Sequence, residues 1–212
     1  MSADVQALVN FYAREGYHRH IQAVCNEVLK KRAGDNVLQL WKAFGLALED
    51  SLQDAIQILE SLRTKKDVAL AALSVLLYAH RQQKLVDHEA VMGIENAISL
   101  EENSAPERAL FLTATFFWHV GELLKARDYV RRVLQVQDNY PQAQALLGWI
   151  ELSTRKDSTI HKASQAFDAA LNVAAGTKKE LEALLGKVCC VALSCKAAQG
   201  VPAVDRSQSR AE

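Results

Sequence analysis

Proline is scarce in this chain of 212 residues, with 3, and glycine is little commoner, with 9. An all-β sandwich or barrel needs more turn punctuation than that, and a disordered chain would not be 50% apolar. Net charge is missing too, since 25 basic side chains balance 25 acidic ones. Nucleic-acid binders normally carry a basic face that neutralises phosphates, so no nucleic-acid partner is expected. The local clusters Lys30-Lys31-Arg32, Lys65-Lys66, Arg131-Arg132 and Lys178-Lys179 fall at helix ends or on polar faces. The longest apolar stretches, such as 68–79, contain Ser74 and fall short of the roughly 20 residues that span a bilayer, so no direct membrane insertion is expected. The opening MSADVQALVNFYAREGYHRH has no basic segment leading into an apolar one, and does not read as a secretory signal. Cys25, Cys189, Cys190 and Cys195 include no CxxC pair. A disulfide framework and a zinc site both fit poorly, and the cysteines read as small apolar helix residues in a reducing compartment.

Catalytic motifs are also wanting. The sequence contains no HExxH, no glycine-rich phosphate loop and no GxSxG. His18 and His20 stand two apart and do not share a helix face. His119 follows Trp118 on an apolar stretch and reads as a packed histidine, because a general base needs positioned partners. Glu101-Glu102 reads as part of a solvated connector. No enzymatic activity, metal or cofactor is expected.

What the chain has is repetition. Alanine, leucine, glutamate, lysine, arginine and glutamine, all strong helix formers, dominate it. A small, large, small pattern at i, i+4 and i+7 returns as Ala55, Leu59, Leu62, then Ala90, Ile94, Ala97, then Ala126, Val130, Val133, then Ala163, Phe167, Ala170. A weaker first copy is Ile21, Cys25, Val28, and the anchors are spaced by 34, 35, 36 and 37 residues. This period and pattern define a tetratricopeptide repeat. The expected fold is therefore all-α: a tetratricopeptide-repeat solenoid of antiparallel helix hairpins in a right-handed superhelix. A solenoid over 1–195 is expected to hold hairpins at about 3–34, 36–64, 67–100, 106–138 and 141–176 and a partial one at 179–195, followed by a disordered tail at 196–212. Ser51, Asp67 and Asp87 read as helix N-caps, and Pro106 and Pro141 suit the first turns of helices. The turn at 154–158 reads as three residues longer than usual. Leu147-Gly148 supplies a small residue that lets the partner helix approach, and Leu185-Gly186 repeats it. The last hairpin has no second helix, so the sequence reads as a fragment or shortened product of a longer repeat protein.

Repeat scaffolds act by holding partners. The first helices of such hairpins line a concave groove, and the polar candidates there are Gln6, Asn10, Arg14, Gln39 and Lys42. Chaperone-binding relatives clamp a peptide carboxylate with Lys, Asn and Arg. Here Gln6 stands where the first Lys is expected and Trp41 where the second Asn is, so the clamp is incomplete. Two readings stand: a protein-interaction scaffold, and a co-chaperone-like peptide-binding module.

The segments LVNFYAREGYHRHIQAV (8–24), KDVALAALSVLLYAH (66–80) and FFWHVGELLKARDYVRRVLQV (116–136) narrow this further. They resemble the amino-terminal region of the tetratricopeptide repeat protein 21 family, most like its A branch. GWIELSTRK (148–156) and ALLGKVCC (183–190) continue the resemblance, which covers roughly 1–190 and departs after Cys190. It implies a non-catalytic subunit of intraflagellar transport complex A. Such a subunit works in retrograde ciliary transport, cilium assembly and receptor trafficking to cilia. The implied partners are other subunits of that complex and membrane-receptor cargo or its adaptors. The implied location is the cytoplasm and the cilium, at axoneme and basal body. The resemblance rests on packing positions, so no binding residue is carried over from it.

Overall fold

The computed structural model describes residues 3–154, 157–174, 176 and 180–198. Among these are eleven α-helices and no strand. They are α1 (Ala3–Glu15), α2 (His18–Leu29), α3 (Asn36–Leu48), α4 (Leu52–Leu62), α5 (Ala69–Gln82), α6 (His88–Glu101), α7 (Glu107–His119), α8 (Leu123–Val136), α9 (Pro141–Ser153), α10 (Asp157–Ala174) and α11 (Glu180–Ala198). Each helix packs on the next along the chain except at the step from α6 to α7, and α3, α5, α7, α9 and α11 also pack one on the next. The odd-numbered helices from α3 to α11 therefore form a continuous inner layer, and the even-numbered ones back it. This is a solenoid of antiparallel helical hairpins.

Three hairpin turns close in the same way. Gly16, Asp50 and Gly121 adopt φ of 77°, 59° and 86°. That left-handed conformation lets the next amide reach back to a carbonyl inside the first helix: Tyr17 N to Tyr12 O at 2.8 Å, Ser51 N to Leu46 O at 3.1 Å, and Glu122 N to Phe117 O at 2.9 Å. These are Schellman closures, which satisfy carbonyls that a helix end leaves unpaired. Two aspartates cap helices at their other ends. Asp35 Oδ1 accepts from the amides of Val37 and Leu38, and Asp87 Oδ1 from those of Glu89 and Ala90.

Several expected details shift. Ser51 makes no side-chain capping bond. Asp67 does not cap either, because α5 starts after Val68; its carboxylate instead accepts from Asn36 Nδ2 at 3.2 Å. Pro106 is the residue before α7, whereas Pro141 opens α9 from within its first turn. The long turn after α9 shortens, since α10 starts at Asp157. α11 runs three residues beyond Cys195 to Ala198, and the remainder of the expected disordered tail, 199–212, lies outside the described residues.

The repeat register sets the core. Ile21 and Cys25, Ala55, Leu59 and Leu62, Ala126, Val130 and Val133, and Ala163, Phe167 and Ala170 are all buried. The exceptions are Val28, which is part-buried, and α6, in which only Ile94 is buried while Ala90 and Ala97 stay partly exposed. The inner layer explains the latter. α5 is buried from Ala69 to Leu76 because it packs directly on α3 and α7, which leaves α6 resting mainly on α5. A polar link ties down its far end: Glu102 pairs with Tyr129 and Arg132 of α8, and its carbonyl accepts from Arg132 Nη2 at 2.6 Å. Glu102 is thus a cross-helix acceptor and not a solvated connector residue.

Phe167 joins the last two hairpins. It is fully buried on α10, between Gly148 of α9 and Gly186 of α11. A Cβ at Gly148 would lie 2.6 Å from the ring, and one at Gly186 would lie 2.2 Å from it. Both glycines are there for space, as the sequence suggested for Gly148, and burying the ring contributes about 2–3 kcal/mol.

Candidate binding groove

The inner layer curves so tightly that side chains from distant hairpins meet. Trp41 and Phe44 on α3 pack on α7: Phe44 meets Phe116 at 5.7 Å, and Trp41 meets His119 at 6.0 Å, both edge to face. His119 also lies tilted against Trp118 at 4.5 Å and is half-buried, with its Nε2 atom shut off from solvent. Burial pulls its pKa from 6.5 down to about 3, with the nearby positive charges of Arg14 and His18 adding to the effect. The ring is neutral at physiological pH and is held as packing, as its sequence setting suggested.

Across the groove, α1 faces α7, α9 and α11. Val9 and Ala13 turn into the core, and this turns Gln6, Asn10 and Arg14, spaced by four, toward the opposite wall. Gln6 Nε2 donates to Asn10 Oδ1 at 3.0 Å. The Arg14 guanidinium carbon lies 4.1 Å from the centroid of the Trp149 ring, and Nη1 reaches Glu182 Oε2 at 3.5 Å. Burial pushes the Glu182 carboxyl up from its ordinary value; Arg14, Asn10 and Trp149 beside it draw it back. Neither Asn10 nor the Trp149 indole closes a well-aligned bond to the buried Oε1. Between α1 and this wall remains a cavity of about 70 Å³, bordered by Asn10, Thr115, Trp118, Leu146, Trp149 and Glu182. The wall itself is cross-braced by polar contacts. Trp118 Nε1 donates to Ser153 Oγ at 2.9 Å, Ser153 donates to the Trp149 carbonyl at 2.8 Å, and Arg127 of α8 pairs with Glu151 of α9 at 3.0 Å.

The five groove candidates do not share a surface. Gln6, Asn10 and Arg14 line the groove. Gln39 and Lys42 border a separate depression of about 360 Å³ with Gln57, Ile58 and Ser61 of α4. Gln39 Nε2 is held locally by the Ala33 carbonyl at 3.0 Å. The repeat pattern places residues on a helix face, but superhelix curvature decides which faces meet. Trp149 and Glu182 were missed as groove residues for that reason. Among the described residues no group of histidine, cysteine and acidic side chains is placed to hold a metal. No helix there is long and apolar enough to cross a membrane.

Hairpins in register, a continuous inner layer and a side-chain-lined concavity define a helical repeat protein of the tetratricopeptide class. The chain belongs to the tetratricopeptide repeat protein 21 family: the family model described as "Tetratricopeptide repeat protein 21 N-terminal ARM repeat" matches residues 9–207. The match runs past Cys190, so the expected departure there is not seen. Tetratricopeptide repeat protein 21B of Xenopus laevis is 36% identical over 183 residues, covering 86% of this chain and 14% of the relative. Human 21B is 31% identical over 190 residues, covering 90% of this chain and 14% of that protein. Human 21A is 31% identical over 185 residues, covering 87% of this chain and 14% of that protein. Equal identity to the human A and B proteins favours neither branch. The chain spans about 14% of the length of these curated relatives. Among solved structures, a thermophilic tetratricopeptide-repeat protein of Thermus thermophilus aligns at TM-score 0.47 and 19% identity, covering 89% of this chain and 98% of that one.

Proposed function

We propose that this chain is a non-catalytic protein-interaction scaffold, the amino-terminal portion of a subunit of intraflagellar transport complex A. In that role it serves retrograde ciliary transport, cilium assembly and receptor trafficking to cilia, and works in the cytoplasm and at the axoneme and basal body. Its partners are other subunits of the complex and membrane-receptor cargo or its adaptors. The observation that carries the reading is the family match over residues 9–207. The helical-hairpin solenoid supports the scaffold part of it, because such folds present extended surfaces to other chains.

The co-chaperone-like alternative is not favoured. A carboxylate clamp needs convergent cations in one groove, whereas Lys42 lies in a different depression and Arg14 is already engaged by Glu182. Affinity capture of the tagged chain from ciliated cells, with quantitative mass spectrometry, tests the proposal. Enrichment of the other complex subunits over a scrambled-surface control is the expected result. A folded chain that enriches none of them overturns it.

A further inference from the structure

We propose that Trp149 and Glu182 form a binding site for an arginine side chain, filled by the chain's own Arg14 in the closed solenoid, and that an arginine-bearing segment of a partner takes its place when α1 lifts away. Three observations carry this. First, the chemistry is selective for a guanidinium: a flat aromatic face lies beside a carboxylate, and Arg both stacks on aromatic rings and bridges to carboxylates. Second, the internal occupant fits loosely. Nη1 engages at 3.5 Å, against the roughly 2.7–2.9 Å of a well-formed charge-assisted bond, while the buried Oε1 makes no well-aligned hydrogen bond to Asn10 or Trp149 beside it. An incoming arginine free to use both arms of its fork can do better. Third, α1 is anchored along one face, by Val9 and Ala13 packing beside α2, and is open on the other. Leu8 and Phe11 are 38% and 43% exposed, a cavity separates α1 from the opposite wall, and the helix meets the body at the glycine turn of Gly16.

Acidic Glu182 on one wall excludes an acidic peptide as occupant. The apolar border supplied by Trp118 and Leu146 suits a segment with apolar residues beside its arginine. The inference rests on the scaffold reading above and names a partner chemistry for it. The two fail separately, because one is read in ciliated cells and the other with purified components.

The test uses the full chain and a fluorescein-labelled peptide of residues 1–17, with the Arg14→Ala peptide as control. Arg14→Ala in the full chain empties the site. It is expected to bind the peptide about ten-fold more tightly than the parent, in which α1 competes as a tethered ligand. The control peptide and the double variant Arg14→Ala/Glu182→Gln are each expected to lose that gain. Equal binding by parent and Arg14→Ala, or equal binding of both peptides, overturns the proposal. If Arg14→Ala loses helicity by circular dichroism, Arg14→Lys replaces it, since it keeps the charge but not the stacked fork. The same ranking is then expected, and its absence is equally decisive.

Discussion

At the scale of single residues, the tightest demands are steric. Gly148 and Gly186 both seat the ring of Phe167, which has no space to retreat because it is fully buried. Alanine at either position is expected to destabilise the chain by about 1–3 kcal/mol in urea unfolding, since overpacking outweighs alanine's better helix propensity. Gly93, on the exposed face of α6 with nothing within 4 Å, provides the opposite case. Gly93→Ala is expected to stabilise by up to about 1 kcal/mol. The sequence pointed to Gly148 through its repeat partner. It could not show that one phenyl ring serves both glycines, because that depends on how three helices converge.

His119 makes a residue-scale prediction about pH. Its pKa falls to about 3 in the folded chain, against 6.5 when exposed. Between those values the unfolded chain takes up a proton that the folded chain refuses. The stability linked to this group is therefore complete above about pH 6.5 and is lost as pH falls toward about 3, at up to about 1.4 kcal/mol per pH unit. His119→Leu removes the titrating group. Its unfolding free energy is expected to fall less steeply than the parent's between pH 6.5 and 4, measured by urea melts at each pH. Parallel curves for the two would show that His119 carries no such linkage.

At the scale of helices, the repeat register was legible and its exception was not. Ala126 is wholly buried on α8, so Ala126→Asp is expected to cost several kcal/mol by placing a carboxylate against packed helices. A variant that melts like the parent would refute the register. α6 carries the same sequence pattern but buries only Ile94, because the inner layer passes directly from α5 to α7. No local pattern reports that. Its N-cap therefore matters more than those of better-buried helices. Asp87→Ala is expected to cost about 1 kcal/mol, seen as faster amide exchange through the first turns of α6. Ser51→Ala, which removes no capping bond, is expected to change little at α4.

At the scale of the whole molecule, composition and period gave an accurate class, because a short helical repeat writes its packing positions into the sequence every 34 to 37 residues. The groove was less legible. Asn10 and Arg14 were expected in it, but their opposite numbers Trp149 and Glu182 were not, since those lie more than a hundred residues away along the chain. Gln39 and Lys42, expected beside them, open onto another surface. Curvature accumulates from small rotations at each hairpin junction, and no single repeat encodes the sum.

That separation bears on how the molecule matures. Arg14 and Glu182 stand 168 residues apart, so this contact belongs among the last to form. On the ribosome, α1 emerges long before α11 is made. Until α11 is made the indole of Trp149 has no Glu182 carboxylate beside it, and α1 rests on α2 without that latch. A partner that meets the nascent chain finds the concavity accessible, whereas one that meets the finished protein must first displace α1. The order of synthesis and assembly thereby becomes a variable in what this scaffold can hold.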